Sequence, residues 1–149
     1  KLGIKTDSLE EELDNDIRVE ERFYVGGKPK MLRHFKGDNP TPILEKEWYQ
    51  NGQLKEESYI NEEGIDIRNA YYISGQKNKE GIGDIEKLFF ENGQIAYDGQ
   101  TFMKGGKYFD KEGNEVSLVV WSEENKYGRE CQIFLRDDVT GEYKDIYKK

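Results

Sequence analysis

Pairs of adjacent aromatic residues ahead of a glycine carry the strongest pattern in the sequence. Phe23-Tyr24-Val25-Gly26-Gly27, Trp48-Tyr49-Gln50-Asn51-Gly52, Tyr71-Tyr72-Ile73-Ser74-Gly75 and Phe89-Phe90-Glu91-Asn92-Gly93 align without gaps, and Tyr108-Phe109-Asp110-Lys111-Glu112-Gly113 fits with one extra residue. The aligned glycines fall 25, 23, 18 and 20 residues apart. The chemistry of such rings is recognition: aromatic stripes line protein interfaces and carbohydrate-binding surfaces. Groups for covalent chemistry are sparse. There is 1 His (His34) and 1 Cys (Cys131), so neither a His-rich nor a Cys-rich metal site can form. Cys131 alternates with Ile133 and Leu135 and reads as a buried, inert thiol. The 31 Asp and Glu residues are too many for any pair to stand out as a general acid and base, and solvation accounts for them. Asp110-Lys111-Glu112-Gly113-Asn114 lacks the ligand spacing and terminal Glu of a calcium loop. Gly81-Ile82-Gly83 lacks the third glycine of a phosphate cradle. No catalytic, cofactor or metal residues are therefore assigned, and a non-enzymatic role is expected.

Composition narrows the field further. The 149 residues include 10 Tyr, 7 Phe and 2 Trp, whereas Ala70 and Ala96 are the only alanines. That balance favours pleated surfaces over helices. The net charge of −8 disfavours nucleic acid and anionic lipid as partners. The richest basic stretch, Lys28 to Lys36, is short, and no apolar run approaches the ~20 residues of a membrane span. The chain starts at Lys1 rather than Met. Removal of an export signal and a trimmed boundary both fit, so the compartment stays open.

The elements that must position the rings follow from turn chemistry and alternation. Asn51-Gly52 and Asn92-Gly93 suit a two-residue turn with positive φ at both centres. Each aromatic pair then ends the first arm of a hairpin, and Leu54, Ile95 or Val116 starts the second. Asn61-Glu62-Glu63-Gly64 and Lys104-Gly105-Gly106 supply return turns. Hairpins are marginal alone but stable when stacked into one sheet. Asn39-Pro40-Thr41-Pro42 breaks the pattern, and Lys- and Gly-rich Gln76 to Asp84 is predicted as a loop in place of a return strand. Ser8 and Glu11 form a capping box, and Leu9, Leu13 and Ile17 recur every four residues. These predict a short helix from about Leu9 to Asp14. In the tail, Val116 to Trp121, Arg129 to Arg136 and Glu142 to Tyr147 read as strands of a terminal cap. The predicted fold is all-β: an elongated antiparallel sheet of stacked hairpin repeats with a short N-terminal helix and a C-terminal hairpin cap. Residues 1–22 form the helix and lead-in strand, 23–116 the repeats and 117–149 the cap, in one domain overall.

Tyr49-Gln50-Asn51-Gly52, followed by Gln53-Leu54-Lys55-Glu56-Glu57 and Tyr59, resembles the bacterial variant of the MORN repeat. The closest stretches are Trp48 to Gly64 and Leu88 to Val116, and the resemblance spans residues 23–116. It implies a meandering antiparallel sheet. It also implies a link to bacterial toxin–antitoxin or immunity systems, in which such proteins are classed as antitoxins.

Alternation sends neighbouring rings to opposite faces. Phe23, Trp48, Tyr71, Phe89 and Tyr108 form one ladder, and Tyr24, Tyr49, Tyr72, Phe90 and Phe109 the other. The expected function is a protein-binding module presenting Trp48, Tyr49, Tyr59, Tyr72, Phe90 and Tyr97, rimmed by the acids Glu56, Glu57 and Asp98. An acid rim steers a basic partner, which under the resemblance is a toxin. The alternative is an exported, envelope-associated structural or glycan-binding repeat protein. An antitoxin is expected in the cytoplasm, and the alternative outside it.

Overall fold

The computed structural model describes residues 16–101, 104–116, 119–121, 131–136 and 143–145. Ten strands form one antiparallel sheet in chain order: β1 (Ile17–Phe23), β2 (Pro29–Lys36), β3 (Pro42–Trp48), β4 (Leu54–Ile60), β5 (Asp66–Tyr71), β6 (Lys77–Ile82), β7 (Ile85–Phe89), β8 (Ile95–Gln100), β9 (Lys104–Phe109) and β10 (Glu115–Val116). Each strand pairs with its neighbours in sequence, so the sheet is a ten-stranded open meander. A second sheet holds β11 (Val119–Trp121), β12 (Cys131–Arg136) and β13 (Tyr143–Asp145). The stretch Val116 to Trp121, predicted as one strand, is divided between the two sheets. The predicted helix at about residues 9–14 lies outside the described residues, which contain no helix.

The aromatic turns share one geometry. Tyr49 N–H donates to Gln53 O at 2.8 Å, Gly52 N–H donates to Tyr49 O at 2.9 Å, and Gly52 has φ +90°. This is a three-residue loop, a β-turn over Tyr49 to Gly52 whose glycine then opens a bulge. It replaces the expected two-residue turn. The same bonds recur at Tyr24, Tyr72 and Phe90, and at Asn61 in a return turn. Beside the four ring-bearing turns the ladder register shifts, so Lys30, Lys55, Asn78 and Ala96 are the extra residues of β-bulges.

The fifth unit has no extra residue. Asp110 N–H donates to Asn114 O, and Gly113 N–H to Asp110 O, as in the other turns. Phe109 thus takes the first ring's place and Asp110 the second's. The Asp110 carboxylate explains the exchange, because it accepts from Glu112 N–H at 3.1 Å and Asn114 N–H at 2.8 Å and caps its own turn.

Registers define the two faces, since residues opposite each other share a face. One row crosses all ten strands: Arg22, Met31, Glu47, Glu56, Ala70, Lys79, Leu88, Tyr97, Tyr108 and Val116. Every buried residue among those described lies on this face, in its bulges or in the turns that continue it. We term it the packed face and its opposite the open face. Among the bulge residues, burial deepens along the meander. Of the bulge residues, Lys30 is exposed, Lys55 half-buried, and Asn78 and Ala96 fully enclosed at 0%.

The predicted loop at Gln76 to Asp84 is in fact an interior strand. β6 pairs with both β5 and β7. Ion pairs rather than apolar burial support it: Lys77 lies 2.6 Å from Glu80 and Lys79 lies 3.5 Å from Glu86. Gly81 leaves room for the Arg68 side chain, whose Nε would lie 3.1 Å from a Cβ at that position.

Candidate functional site

The second ring of each pair is a fastener between repeats. Tyr24 Oη donates to Trp48 O at 2.7 Å, Tyr49 Oη to Tyr71 O at 2.8 Å, and Tyr72 Oη to Phe89 O at 2.6 Å. Each hydroxyl reaches the backbone of the next unit's first ring. Phe90 has no hydroxyl, and there the turn asparagine provides a link, with Asn92 Nδ2 donating to Lys111 O at 3.0 Å. Asn51 makes the equivalent bond to Ile73 O at 3.2 Å. Gln53 also lies along the next turn, where a Cβ on Gly75 would sit 2.9 Å from its Oε1.

Strand register and burial place the nine candidate residues in two groups. Tyr49, Tyr72, Phe90 and Tyr97 are buried on the packed face, and Glu56 shares that face. Trp48, Tyr59, Glu57 and Asp98 belong to the open face. Tyr97 is wholly enclosed: its hydroxyl lies 2.8 Å from Gln100 O and 2.7 Å from Gly105 O, and its ring centroid is 5.0 Å from that of Tyr108. A Cβ on Gly99 would overlap that hydroxyl. Burial, first, and then the charges of Tyr108, Glu86 and Asp98 push the Tyr97 phenol above its ordinary 10.0, against the lowering effect of its bond to Gln100.

The open face carries three rows. Phe23, Trp48, Tyr71, Phe89 and Phe109 line the edge beside the turns, interleaved with Pro29, Leu54, Lys77, Ile95 and Glu115. Next comes a mixed-charge row: Glu21, Leu32, Lys46, Glu57, Asn69, Glu80, Lys87, Asp98 and Lys107. Within it Lys46 approaches Glu57 at 3.9 Å and Asn69 Nδ2 donates to Glu57 Oε1 at 3.2 Å. The third row is apolar apart from His34 and Gln100: Val19, His34, Leu44, Tyr59, Ile67, Ile82, Ile85 and Gln100. Exposure is 50% at Val19, 58% at Phe23, 47% at Ile82 and 58% at Ile85. A small depression of about 70 Å³, mostly apolar, is lined by Phe23, Pro29, Leu32 and Trp48 with Glu21 and Met31.

The packed face also holds an ionic cluster. Glu86, 6% exposed, faces Lys79 at 3.5 Å and Arg68 at 4.0 Å. Arg68 also meets Asp66 at 3.1 Å, donates to Gly83 O at 2.6 Å and reaches Thr101 Oγ1 at 3.1 Å. Beside it opens a cavity of roughly 200 Å³, whose walls include Glu45, Glu56, Arg68 and Lys79. Arg33 and Glu45 form a further ion pair on this face. The cluster balances its own charges, which suits a structural role. Among the described residues no group of three or more His, Cys, Asp or Glu is placed to hold a metal ion.

Alternation predicted the separation of neighbouring rings, but not which ladder is enclosed. The fastening role of the second ring was missed. Its signal is the Tyr at three of four second positions, where a ring serving only to fill space needs no hydroxyl. No protein-family model matches the chain, and no curated protein matches it.

Proposed function

We propose that this chain is a non-enzymatic protein-binding module and that it binds through the open face. The observation that carries the reading is the exposure of large apolar side chains, Phe23 and Ile85 at 58%, Val19 at 50% and Ile82 at 47%, on the face the sheet does not bury. Exposed apolar surface of this kind marks interaction sites. Trp48 and Tyr59 are the ring anchors, Glu57 and Asp98 belong to the charged row between them, and the depression beside Trp48 accepts an apolar side chain. Tyr49, Tyr72, Phe90 and Tyr97 support the surface from behind. The charged row is mixed, so preference for a basic partner comes from the whole molecule's net charge of −8. The resemblance to the bacterial MORN-repeat variant makes that partner a toxin, neutralised by occlusion of its working surface.

A pull-down from the source cell tests this with wild-type and Ile85→Glu baits. The wild-type bait enriches a protein that the Ile85→Glu bait loses, and raised salt weakens the capture. Enrichment of no protein, or of the same protein by both baits, removes the reading.

A further inference from the structure

The outer edge of β1 is patterned to pair with itself. β1 is the first strand of the meander and, among the described residues, pairs only with β2. It is seven residues long, contains no proline or glycine, and residues 18–23 are all exposed. An edge of this length is normally protected by charge, and β1 carries Arg18, Glu20, Glu21 and Arg22, with Asp16 just before it. The protection is not of one sign.

Gly37 N–H donates to Asp16 O at 2.8 Å, and Asp16 continues the register that pairs Ile17 with Lys36. In an antiparallel ladder, bonding groups alternate between the two sides of a strand. The even-numbered residues therefore direct their backbone groups toward β2, and Ile17, Val19 and Glu21 direct theirs outward.

We infer that a second copy of this chain pairs antiparallel with β1 about a two-fold axis at Val19, continuing the sheet from one molecule into the next. In this register Val19 opposes Val19 of the second copy and Ile17 opposes its Glu21, so the outward backbone groups bond each other. On the packed face Arg18 then opposes Glu20 of the second copy, and Asp16 opposes its Arg22, each pair occurring twice by symmetry. Shifting the centre to Arg18, Glu20 or Glu21 sets that residue against its own charge. A centre at Ile17 makes only the Asp16–Arg18 pairing among the described residues, whereas the Val19 centre makes two kinds of opposite-charge pair. Opposite charges directly across a strand pair are favourable and like charges unfavourable, so the charges favour the Val19 register. The dimer unites two open faces into one surface and makes the module bivalent.

Sedimentation velocity of the full chain, over a concentration series at low and high salt, tests the pairing. Wild type forms a dimer at low salt and shifts toward monomer as salt rises. Val19→Pro removes an outward donor while sparing the bonds to β2, and gives a monomer. Arg18→Glu and Glu20→Arg each give monomers alone, and mixing them restores a dimer, since each then supplies the charge the other lacks. Circular dichroism establishes that the variants are folded. Wild type that is monomeric throughout overturns the inference, as do a dimer that survives Val19→Pro or either reversal, and a mixture that stays monomeric.

Discussion

The tyrosine hydroxyls of the turns separate two roles that an aromatic ring can play. A ring that donates no hydrogen bond can be Phe, as at Phe90, where the Lys111 ammonium lies 5.9 Å from the ring centroid. A ring whose hydroxyl holds the next unit's backbone must be Tyr, as at Tyr72, which donates to Phe89 O at 2.6 Å. Tyr72→Phe keeps the ring and leaves that carbonyl without its donor. Denaturant unfolding is expected to show a loss of about 1 kcal/mol, the usual net value of one such bond. Asp110 holds its own turn in a different way. Desolvation is the largest single influence and raises its carboxyl, but bonds from the Asn114 backbone and side chain and from the Glu112 and Gly113 backbone together outweigh it and bring it below the ordinary 3.8. A depressed carboxyl stabilises the fold fully above its unfolded value, and that contribution disappears as pH falls through the lower native value. An NMR titration is expected to place Asp110 below 3.8, and Asp110→Ala is expected to lose this part of the acid dependence. Both roles were only partly legible in the sequence. The recurrence of ring pairs located the turns, but spacing alone does not say which ring of a pair meets water.

Strands and turns were legible where local chemistry fixes them. Asn51-Gly52 and Asn92-Gly93 announced chain reversals, and the reversals are there. The loop length differed by one residue because the glycine follows the turn rather than sitting at its centre. β6 was not legible, since Lys77-Asn78-Lys79-Glu80-Gly81 has neither alternating apolar residues nor high strand propensity. Its place in the sheet depends on the flanking strands, through Arg68 on β5 and Glu86 on β7. Removing Glu86 takes away the carboxylate that Lys79 and Arg68 share, and Glu86→Ala is expected to cost about 1–3 kcal/mol, less than for a fully buried pair because both cations keep some contact with water and Arg68 keeps Asp66. Glu80→Ala removes the part-exposed carboxylate that faces Lys77 and is expected to cost below about 1 kcal/mol. Urea midpoints of the two variants compare them directly.

At the scale of the molecule, the sheet assigns its two faces to different tasks. The packed face holds the repeats together through Tyr49, Tyr72, Phe90, Tyr97 and the Glu86 cluster. The open face sets two largely apolar rows around a mixed-charge one and keeps Ile85 in water. A sequence with paired rings on alternate faces gives both surfaces similar aromatic content, so only the bonds and burial of the folded sheet distinguish them. The division is tested most directly by titration calorimetry of the captured partner against two variants, with unfolding midpoints measured alongside. Ile85→Glu is expected to weaken binding by at least about tenfold, the effect of losing a hot-spot contact, with an unchanged midpoint. Tyr72→Phe is expected to lower the midpoint and leave the affinity as it was. Wild-type affinity for Ile85→Glu, together with lost binding by a stably folded Tyr72→Phe, would contradict the account.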